Sequence, residues 1–331
     1  MAAVLLIAGF VAVLSGALLF TNAVEWAGSR LGLGVGAVGT LLAGVSTAVP
    51  ESAIPVLAVL RDDPKADQVA VGAIVGAPFM LATVAMALVG LTALAYARRR
   101  EQGRSLRVHG RTLRRDLLVF LVAFSAAVVL GTGVPRALAA AAAVLFLVAY
   151  AAYVLLTIRR GGEAQTEHEL EPLISDTTKH DPPASWMIAM QFVVGLAFIV
   201  GGAHLVVEEL IAIAELIDVS PLVLSLLVAP LATELPEKAN SFLWIREGKD
   251  ALALGNITGA MVFQSTVPVA VGLAFTSWQF DRFAALAGSI AIAGALVAHW
   301  SLNRRRRFAT SAILAWSALF ATFAAGVWLL R

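Results

Sequence analysis

Long apolar stretches recur along the chain, separated by short breaks that contain charged residues, proline or glycine. The stretches are continuously apolar and do not alternate with a period of two, so the pattern predicts helices and disfavours a membrane β-barrel. Charge-poor stretches of about 20 residues recur, each enough to cross a hydrocarbon core about 30 Å thick. The pattern predicts ten membrane-spanning helices at 3–26, 32–60, 67–97, 117–133, 137–158, 186–212, 219–245, 251–277, 283–302 and 308–330.

The composition supports a membrane protein. Of the 331 residues, 60% are hydrophobic and 14% are charged, with a mean hydropathy of +0.86, whereas soluble domains are about a quarter charged. The chain has no cysteine, which excludes a disulfide scaffold. Its net charge of only +2 argues against a nucleic-acid partner. Because no basic segment precedes the first apolar stretch, a cleaved signal peptide is not expected there.

The basic residues are distributed unequally between the two sets of loops. Of the 24 Lys and Arg residues, 18 fall in loops on one side, 5 on the other, and Lys238 lies inside a span. Cytoplasmic loops carry the excess of positive charge, so both termini are expected outside, in a plasma or inner membrane. The run from Arg98 to Arg115 is expected to set this topology and to touch anionic lipid.

One segment is neither a span nor a tight loop. Residues 160–185 are polar, contain six acidic residues and have a Pro-Pro pair near their end. They lack the spacing of a calcium-binding loop, so a solvated cytoplasmic linker is the expected role. The linker divides the chain into five spans within 1–159 and five within 186–331.

The two five-span units carry related motifs. GVSTAVPESAIP at 44–55 aligns with PLATELPEKANS at 230–241, which pairs Thr47 with Thr233 and Glu51 with Glu237. VGAIVGAPFML at 71–81 aligns with LGNITGAMVFQ at 254–264. Five spans per unit is an odd number, so the two copies must insert with opposite orientations. Inverted repeats with interrupted motifs near the membrane midplane are typical of secondary transporters.

These motifs resemble the two alpha repeats of the calcium/cation antiporter superfamily, which includes sodium/calcium and proton/calcium exchangers. Each half of that family carries G-T-S-x-P-E and then G-N-x-x-G-S-N-x-x-(N/D); the resemblance is sharpest over 39–81 and 225–264. It implies an all-α protein of ten transmembrane helices in two inverted five-helix repeats. The implied function is exchange of Ca²⁺, or a similar divalent cation, for Na⁺ or H⁺ by alternating access. No enzyme activity, resident cofactor or obligatory protein partner is implied; the partners are the transported cations and membrane lipid.

The chemistry of the motif residues fits a hard cation, which prefers several oxygen ligands, some of them anionic. A carboxylate at mid-membrane costs roughly 2.5–3.5 kcal/mol on insertion scales, so Glu51 and Glu237 indicate a function. Pro50 and Pro236 have no N–H, and backbone carbonyls one turn earlier therefore lose their partners and become available as ligands. Two carboxylates can neutralise one divalent cation. We expect Glu51 and Glu237 to meet halfway through the membrane.

Three positions of the family pattern differ in both halves. They are the hydroxyl after the motif threonine, the serine of G-S-N, and the amide or acid four residues later; this chain has Ala48 and Glu234, Ala77 and Ala260, and Leu81 and Gln264. The resemblance assigns those positions largely to sodium. It therefore implies a divalent site with few sodium ligands, and proton coupling becomes an alternative to sodium coupling. The candidate metal ligands are Glu51, Glu237, Thr47, Thr233, Glu234 and Gln264.

Glu234 and Lys238 allow two interpretations. They are spaced i, i+4 with the acid first, the favourable order for an intrahelical ion pair. Lys238 would then act as a tethered cation in place of one transported sodium. Alternatively, Lys238 extends its ammonium towards the cytoplasmic surface while Glu234 binds the ion.

Other function classes remain open on the sequence alone. A monovalent-cation/proton exchanger, or a sensor that keeps the fold without transport, would also explain the missing ligands. An intramembrane enzyme is disfavoured because the chain lacks an H-E-x-x-H motif, a G-x-S-x-G motif and cysteine. A channel is disfavoured because two buried carboxylates would bind an ion too strongly for rapid release.

Overall fold

The computed structural model describes residues 1–30, 51–61, 63–101, 103–107, 110–159, 171–176, 182–305, 307–308 and 310–329. These residues form an all-α fold with a single pair of two-residue strands. In chain order the elements are α1 (Ala2–Arg30), α2 (51–59), α3 (Pro64–Met80), a π-helical turn (Leu81–Ala85), α4 (Met86–Ala95), β1 (Leu106–Arg107), α5 (Gly110–Leu130), α6 (Arg136–Arg159), α7 (Ser185–Leu216), α8 (Pro221–Arg246), α9 (Asp250–Gln264), α10 (Val267–Phe275), α11 (Arg282–Arg305), β2 (Arg307–Phe308) and α12 (Thr310–Leu329).

Each of the ten predicted spans contains a helix. Within the described ranges, seven helical stretches are long and apolar enough to cross a membrane. The chain is therefore an all-α membrane protein with about seven to ten spanning helices. α5 begins at Gly110, seven residues before the predicted start of the fourth span at 117. Arg and Leu are good helix formers, and the basic residues assigned to a loop form the first turns of this helix.

Among the spans as far as the structure describes them, two are not continuous α-helices, and their irregularities fall at equivalent positions of the two halves. In the third span, Pro78 lies inside α3, and the π-helical turn begins at Leu81. In the eighth span, α9 ends at Gln264, the residue that the motif alignment pairs with Leu81. Side-chain hydroxyls of Ser265 and Thr266 then donate to the carbonyl of Val262, at 3.0 and 2.7 Å. These bonds replace part of the helical ladder that the break removes.

Pro236 does not interrupt its helix. The backbone of α8 is helical from Pro221 to Arg246. A proline in a helix interior removes one backbone hydrogen bond, but membrane helices tolerate it where neighbouring groups satisfy the backbone. Pro50, the equivalent residue in the first half, lies outside the described residues.

Glycines set the closest contacts between helices. A Cβ atom on Gly76 of α3 would lie 2.2 Å from the carbonyl oxygen of Leu226 in α8. On Gly16 of α1 it would lie 2.7 Å from the carbonyl oxygen of Gly195 in α7. Close backbone approach through small residues is the usual packing mode of membrane helices. It places α3 against α8, and α1 against α7, across the two halves of the chain.

The largest apolar core lies among α3–α6 and α8–α12. A second core joins α1, α2, α3, α7 and α8. The contact between α1 and α7 is the most extensive between any two described helices, and each of them contacts α8 much less. The pair therefore forms a distinct unit at the side of the larger bundle.

The arginine run contains a residue that does not face lipid. Arg100 has a buried side chain and pairs with Asp250 at the start of α9. Its guanidinium also donates to the carbonyl of Gly103 at 3.0 Å. For Arg100 the expected lipid contact is therefore wrong, because a buried carboxylate pairs with this guanidinium. Nearby, β1 pairs antiparallel with β2 and joins the loops that follow α4 and α11.

One described part of the linker, residues 171–176, is docked against α1 and α7. Leu173 is 2% exposed and packs with Ala23, Trp26 and Ile188. Polar side chains of α1 and α7 bind the backbone of this segment. The expectation of a solvated linker is therefore wrong for Leu173 and Asp176, which are buried, whereas Glu171, Pro172 and Ile174 are exposed.

Candidate cation-binding site

A buried glutamine joins two buried glutamates from different halves of the chain. Gln264 Nε2 donates to Glu51 Oε2 and, at 3.2 Å, to Glu234 Oε1. The exposed fractions are 1% for Gln264, 8% for Glu51 and 2% for Glu234. Two carboxylates of opposite repeats thus converge on one side-chain amide in the interior of the bundle.

Three helices position these side chains. Glu51 opens the described part of α2, Glu234 lies in the middle of α8, and Gln264 is the last residue of α9. The glycine contacts fix α8 against α3, and Ser225 Oγ of α8 donates to the carbonyl of Val69 in α3 at 2.8 Å. The break after Gln264 places its side chain at a helix end rather than along a continuous helix.

The electrostatics of the site favour a cation. A carboxylate buried away from water is costly unless it is paired and hydrogen-bonded. The Gln264 amide supplies N–H donors to both carboxylates but carries no net charge. Two carboxylates side by side can together hold a divalent cation or take up protons. The part of the chain that the structure describes contains no group of three or more His, Cys, Asp or Glu residues that could hold a metal.

Of the remaining predicted ligands, the structure describes only the side chain of Thr233. Thr233 is 3% exposed, and its hydroxyl donates to the carbonyl of Ala229 in the same helix at 3.1 Å. Positions 237 and 238 belong to the helical backbone of α8, one turn beyond Glu234. The side chains of Glu237 and Lys238, and the whole of Thr47, lie outside the described residues, so their roles stay predictions.

The sequence motifs did not predict how Glu51 and Glu234 are joined. The motif alignment pairs Glu51 with Glu237, whereas Glu234 aligns with Ala48 and has no counterpart in the first half. The i, i+3 spacing of Glu234 and Glu237 on one helix face could have indicated that both approach the same space. The motifs also gave no indication of Asp116, which is 3% exposed and hydrogen-bonded to three other side chains. An acid followed by a long apolar run was the available signal.

Comparison with known proteins identifies the family. The model of the sodium/calcium exchanger protein family matches residues 1–159 and 187–329. CaxA of Alkalimonas amylolytica is 26% identical over 152 residues, which are 45% of this chain and 47% of that protein. The match therefore spans about half the length of that relative.

Solved structures share the fold. The crystal structure of the H⁺/Ca²⁺ exchanger CAX superposes with a TM-score of 0.71 at 18% identity, covering 100% of this chain and 82% of that one. Native YfkE gives 0.68 at 14% identity, covering 99% and 93%. The sodium-calcium exchanger NCX_Mj gives 0.57 at 18% identity, covering 98% of both chains. Since the family model covers most of the sequence, the chain belongs to the sodium/calcium exchanger family of membrane cation antiporters.

Proposed function

We propose that the protein exchanges Ca²⁺, or a similar divalent cation, for Na⁺ or H⁺ by alternating access. The observation that carries this proposal is the convergence of Glu51 and Glu234 on Gln264 in the buried interior. A hard divalent cation needs oxygen ligands with enough negative charge to replace its water, and two carboxylates supply that charge.

The proposed topology has ten transmembrane helices in two inverted repeats, 1–159 and 186–331, joined by a cytoplasmic linker at 160–185. Both termini lie outside a plasma or inner membrane. A helix within every predicted span supports this arrangement. So does the loss of regular α-helix at Leu81 and after Gln264, which are equivalent positions of the repeats.

The proposed ligand set extends the observed contacts. Glu237, Thr47 and Thr233 join Glu51, Glu234 and Gln264 around the ion. Position 237 is three residues beyond Glu234, on the same side of α8. Calcium takes six to eight oxygen ligands, more than the three contacting side chains supply, so backbone carbonyls near the two motifs are expected to contribute.

Exchange, rather than leak, follows from the charge of the site. Two close carboxylates repel each other, and carrying that repulsion through the low-dielectric occluded state without a bound cation is costly. A carrier loaded with a divalent cation, sodium ions or protons passes that state more easily. The α1–α7 pair is the unit that we expect to move, because its contacts with α8 are small, while α2, α3, α8 and α9 hold the site.

Sodium coupling and proton coupling need different ligands in the site. Ala77 and Ala260 replace hydroxyls that the family uses largely for sodium. Protonation of a carboxylate pair needs no hydroxyl ligand, so this substitution favours H⁺ as the coupling ion. Sodium coupling would instead require oxygen ligands from elsewhere in the site.

The test is calcium uptake into proteoliposomes under a sodium gradient and, separately, a proton gradient. We expect at least one gradient to drive uptake, and Glu51→Gln and Glu234→Gln to reduce it at least tenfold. Glu215→Gln is the matched control, because Glu215 pairs with Lys65 in an exposed ion pair away from the site. Absence of uptake under both gradients would contradict the divalent assignment. Sodium or proton flux alone would then identify a monovalent exchanger, and no flux a non-transporting relative.

A further inference from the structure

A buried carboxylate outside the ion site links α5 to α6 and α9. Asp116 of α5 accepts a hydrogen bond from Thr258 Oγ1 of α9 at 3.1 Å through Oδ2. Its Oδ1 accepts one from the Tyr153 hydroxyl of α6 at 3.0 Å. Arg115 Nη2 lies 3.3 Å from the same Oδ1, and its guanidinium lies 5.0 Å above the Tyr153 ring. Both oxygens are occupied and a cation is already in place, so this carboxylate does not suit a second ion.

An aromatic chain extends the cluster to the end of α9. Tyr153 stacks on Tyr150 with ring centroids 6.4 Å apart and an interplanar angle of 24°. Tyr150 meets Phe263 edge to face at 5.6 Å and 71°. Phe263 directly precedes Gln264. The cluster therefore contacts α9 at Thr258 through hydrogen bonds and at Phe263 through an aromatic ring.

These two contacts hold α9 from a different side than the ion site does. Thr258 precedes Gln264 by six residues, about 9 Å along the axis and about 120° around it in an α-helix. The helix ends at Gln264, so α10 does not continue its hydrogen-bond ladder. The rotation of α9 and its position along its axis near Gln264 therefore depend on the side-chain contacts that the helix makes with its neighbours.

We propose that Asp116 and Tyr153 are positioning residues for the ion site. Through Thr258 and Phe263 they hold α9 so that the Gln264 amide lies between Glu51 and Glu234. The consequence for transport rests on the proposed function, whereas the positioning itself does not. Without the contacts at Thr258 and Phe263, α9 can rotate, and the Gln264 amide then no longer contacts both carboxylates.

The transport test uses Thr258→Val, which keeps the shape and removes the donor, and Tyr153→Phe, which keeps the ring stack. Each is expected to raise the half-saturating calcium concentration about three- to tenfold, the scale of one lost hydrogen bond, with the maximal rate per folded molecule within about twofold. Thr322→Val is the matched control, because Thr322 donates only to Ala318 on an exposed face of α12. A merely structural role would lower the amount of folded protein and leave the affinity unchanged.

A double-mutant comparison separates positioning from independent effects. In a Gln264→Leu background, Thr258→Val is expected to cause no further change in affinity, since the group that it positions is gone. Full additivity of the two substitutions would overturn the proposal, as would an unchanged affinity in both single variants.

A second readout does not need transport. The natural chain has no cysteine, so Gln264→Cys gives a single thiol whose labelling rate reports the exposure of position 264. Adding Thr258→Val is expected to raise that rate at least threefold, and adding Thr322→Val is not. If wild type carries no ion while labelling accelerates, the proposed function fails and the positioning role stands. Unchanged labelling overturns the positioning role even in a transporting protein.

Discussion

At the scale of single residues, the main question about the site is the role of Lys238, whose position lies one turn beyond Glu234. Glu234 is almost fully buried, and position 238 follows it by four residues in α8. In a low-dielectric interior, a lysine there would repel a transported cation by several kcal/mol at close range. If Lys238 acts as a tethered cation, it should therefore lower the affinity of the site for the transported cation.

Lys238→Met is predicted to lower the half-saturating concentration of the driving ion about tenfold, because the substitution removes a competing positive charge while keeping the length of the side chain. The measurement is the dependence of calcium uptake on the concentration of sodium or protons. Lys238→Arg keeps the charge and is expected to behave like wild type. Unchanged kinetics in Lys238→Met would indicate that the lysine extends to the surface and that Glu234 acts on the ion alone.

Motif positions could be predicted from the sequence, but side-chain partners could not. Glu51 and Gln264 were selected from repeat positions, and the structure brings them into contact. Glu234 was selected beside its motif, yet its approach to Glu51 depends on the rotation of α8, which three-residue spacing alone does not fix. The pairing of Arg100 with Asp250 joins residues 150 positions apart. Such a contact follows from tertiary packing and leaves no local pattern.

At the scale of helices, the tightest constraint is the contact of α3 with α8. A Cβ on Gly76 would lie 2.2 Å from the oxygen and 2.9 Å from the Cα of Leu226, and these backbone atoms cannot move without shifting α8. The same contact would displace Glu234, which lies two turns further along α8. Close packing at this glycine therefore supports the geometry of the ion site as well as stability.

Gly76→Ala is predicted to destabilise the protein by about 1–3 kcal/mol or more, the usual cost of overpacking, and to weaken calcium affinity. Thermal unfolding in detergent and calcium uptake measure the two effects. Gly201→Ala in α7 is the matched control, because no described heavy atom beyond the adjacent backbone of its own helix lies within 4 Å of its Cβ position. There the substitution should be neutral or stabilise the helix by up to about 1 kcal/mol. Equal behaviour of the two variants would contradict the close-contact argument.

Helix existence could be predicted from apolar length, whereas helix continuity could not. Pro236 lies within α8 without ending it. The eighth span, in contrast, loses its regular α-helix at Ser265 and Thr266, ahead of Pro268. A proline only removes one donor, and whether the helix continues depends on which groups satisfy the backbone around it. At the break, hydroxyl groups of the interrupting residues perform that role. These compensations are set by packing, so the proline positions alone did not distinguish the two cases.

At the scale of the whole molecule, the connection between the repeats is bound to the α1–α7 pair. Asn22 of α1 donates to the carbonyls of Glu171 and Pro172 and accepts from the Ile174 amide at 3.0 Å. Gln191 of α7 donates to Asn22 Oδ1 at 2.9 Å. Composition predicted a solvated linker because its side chains are polar. The docking instead uses backbone groups, which composition does not register, and any movement of α1 and α7 must carry this segment along.

The bond between Gln191 and the linker gives a direct test of that docking. The Ser175 amide donates to Gln191 Oε1 at 2.7 Å, so exchange of this hydrogen with solvent requires the segment to leave α7. Gln191→Ala is predicted to accelerate exchange of a 171–176 peptide about three- to tenfold, the scale of one net hydrogen bond. Val193→Ala is the control, because Val193 lies on the same helix and is 62% exposed. Exchange that is already fast in wild type, or unaffected by Gln191→Ala, would mean that the linker does not move as one body with α1 and α7.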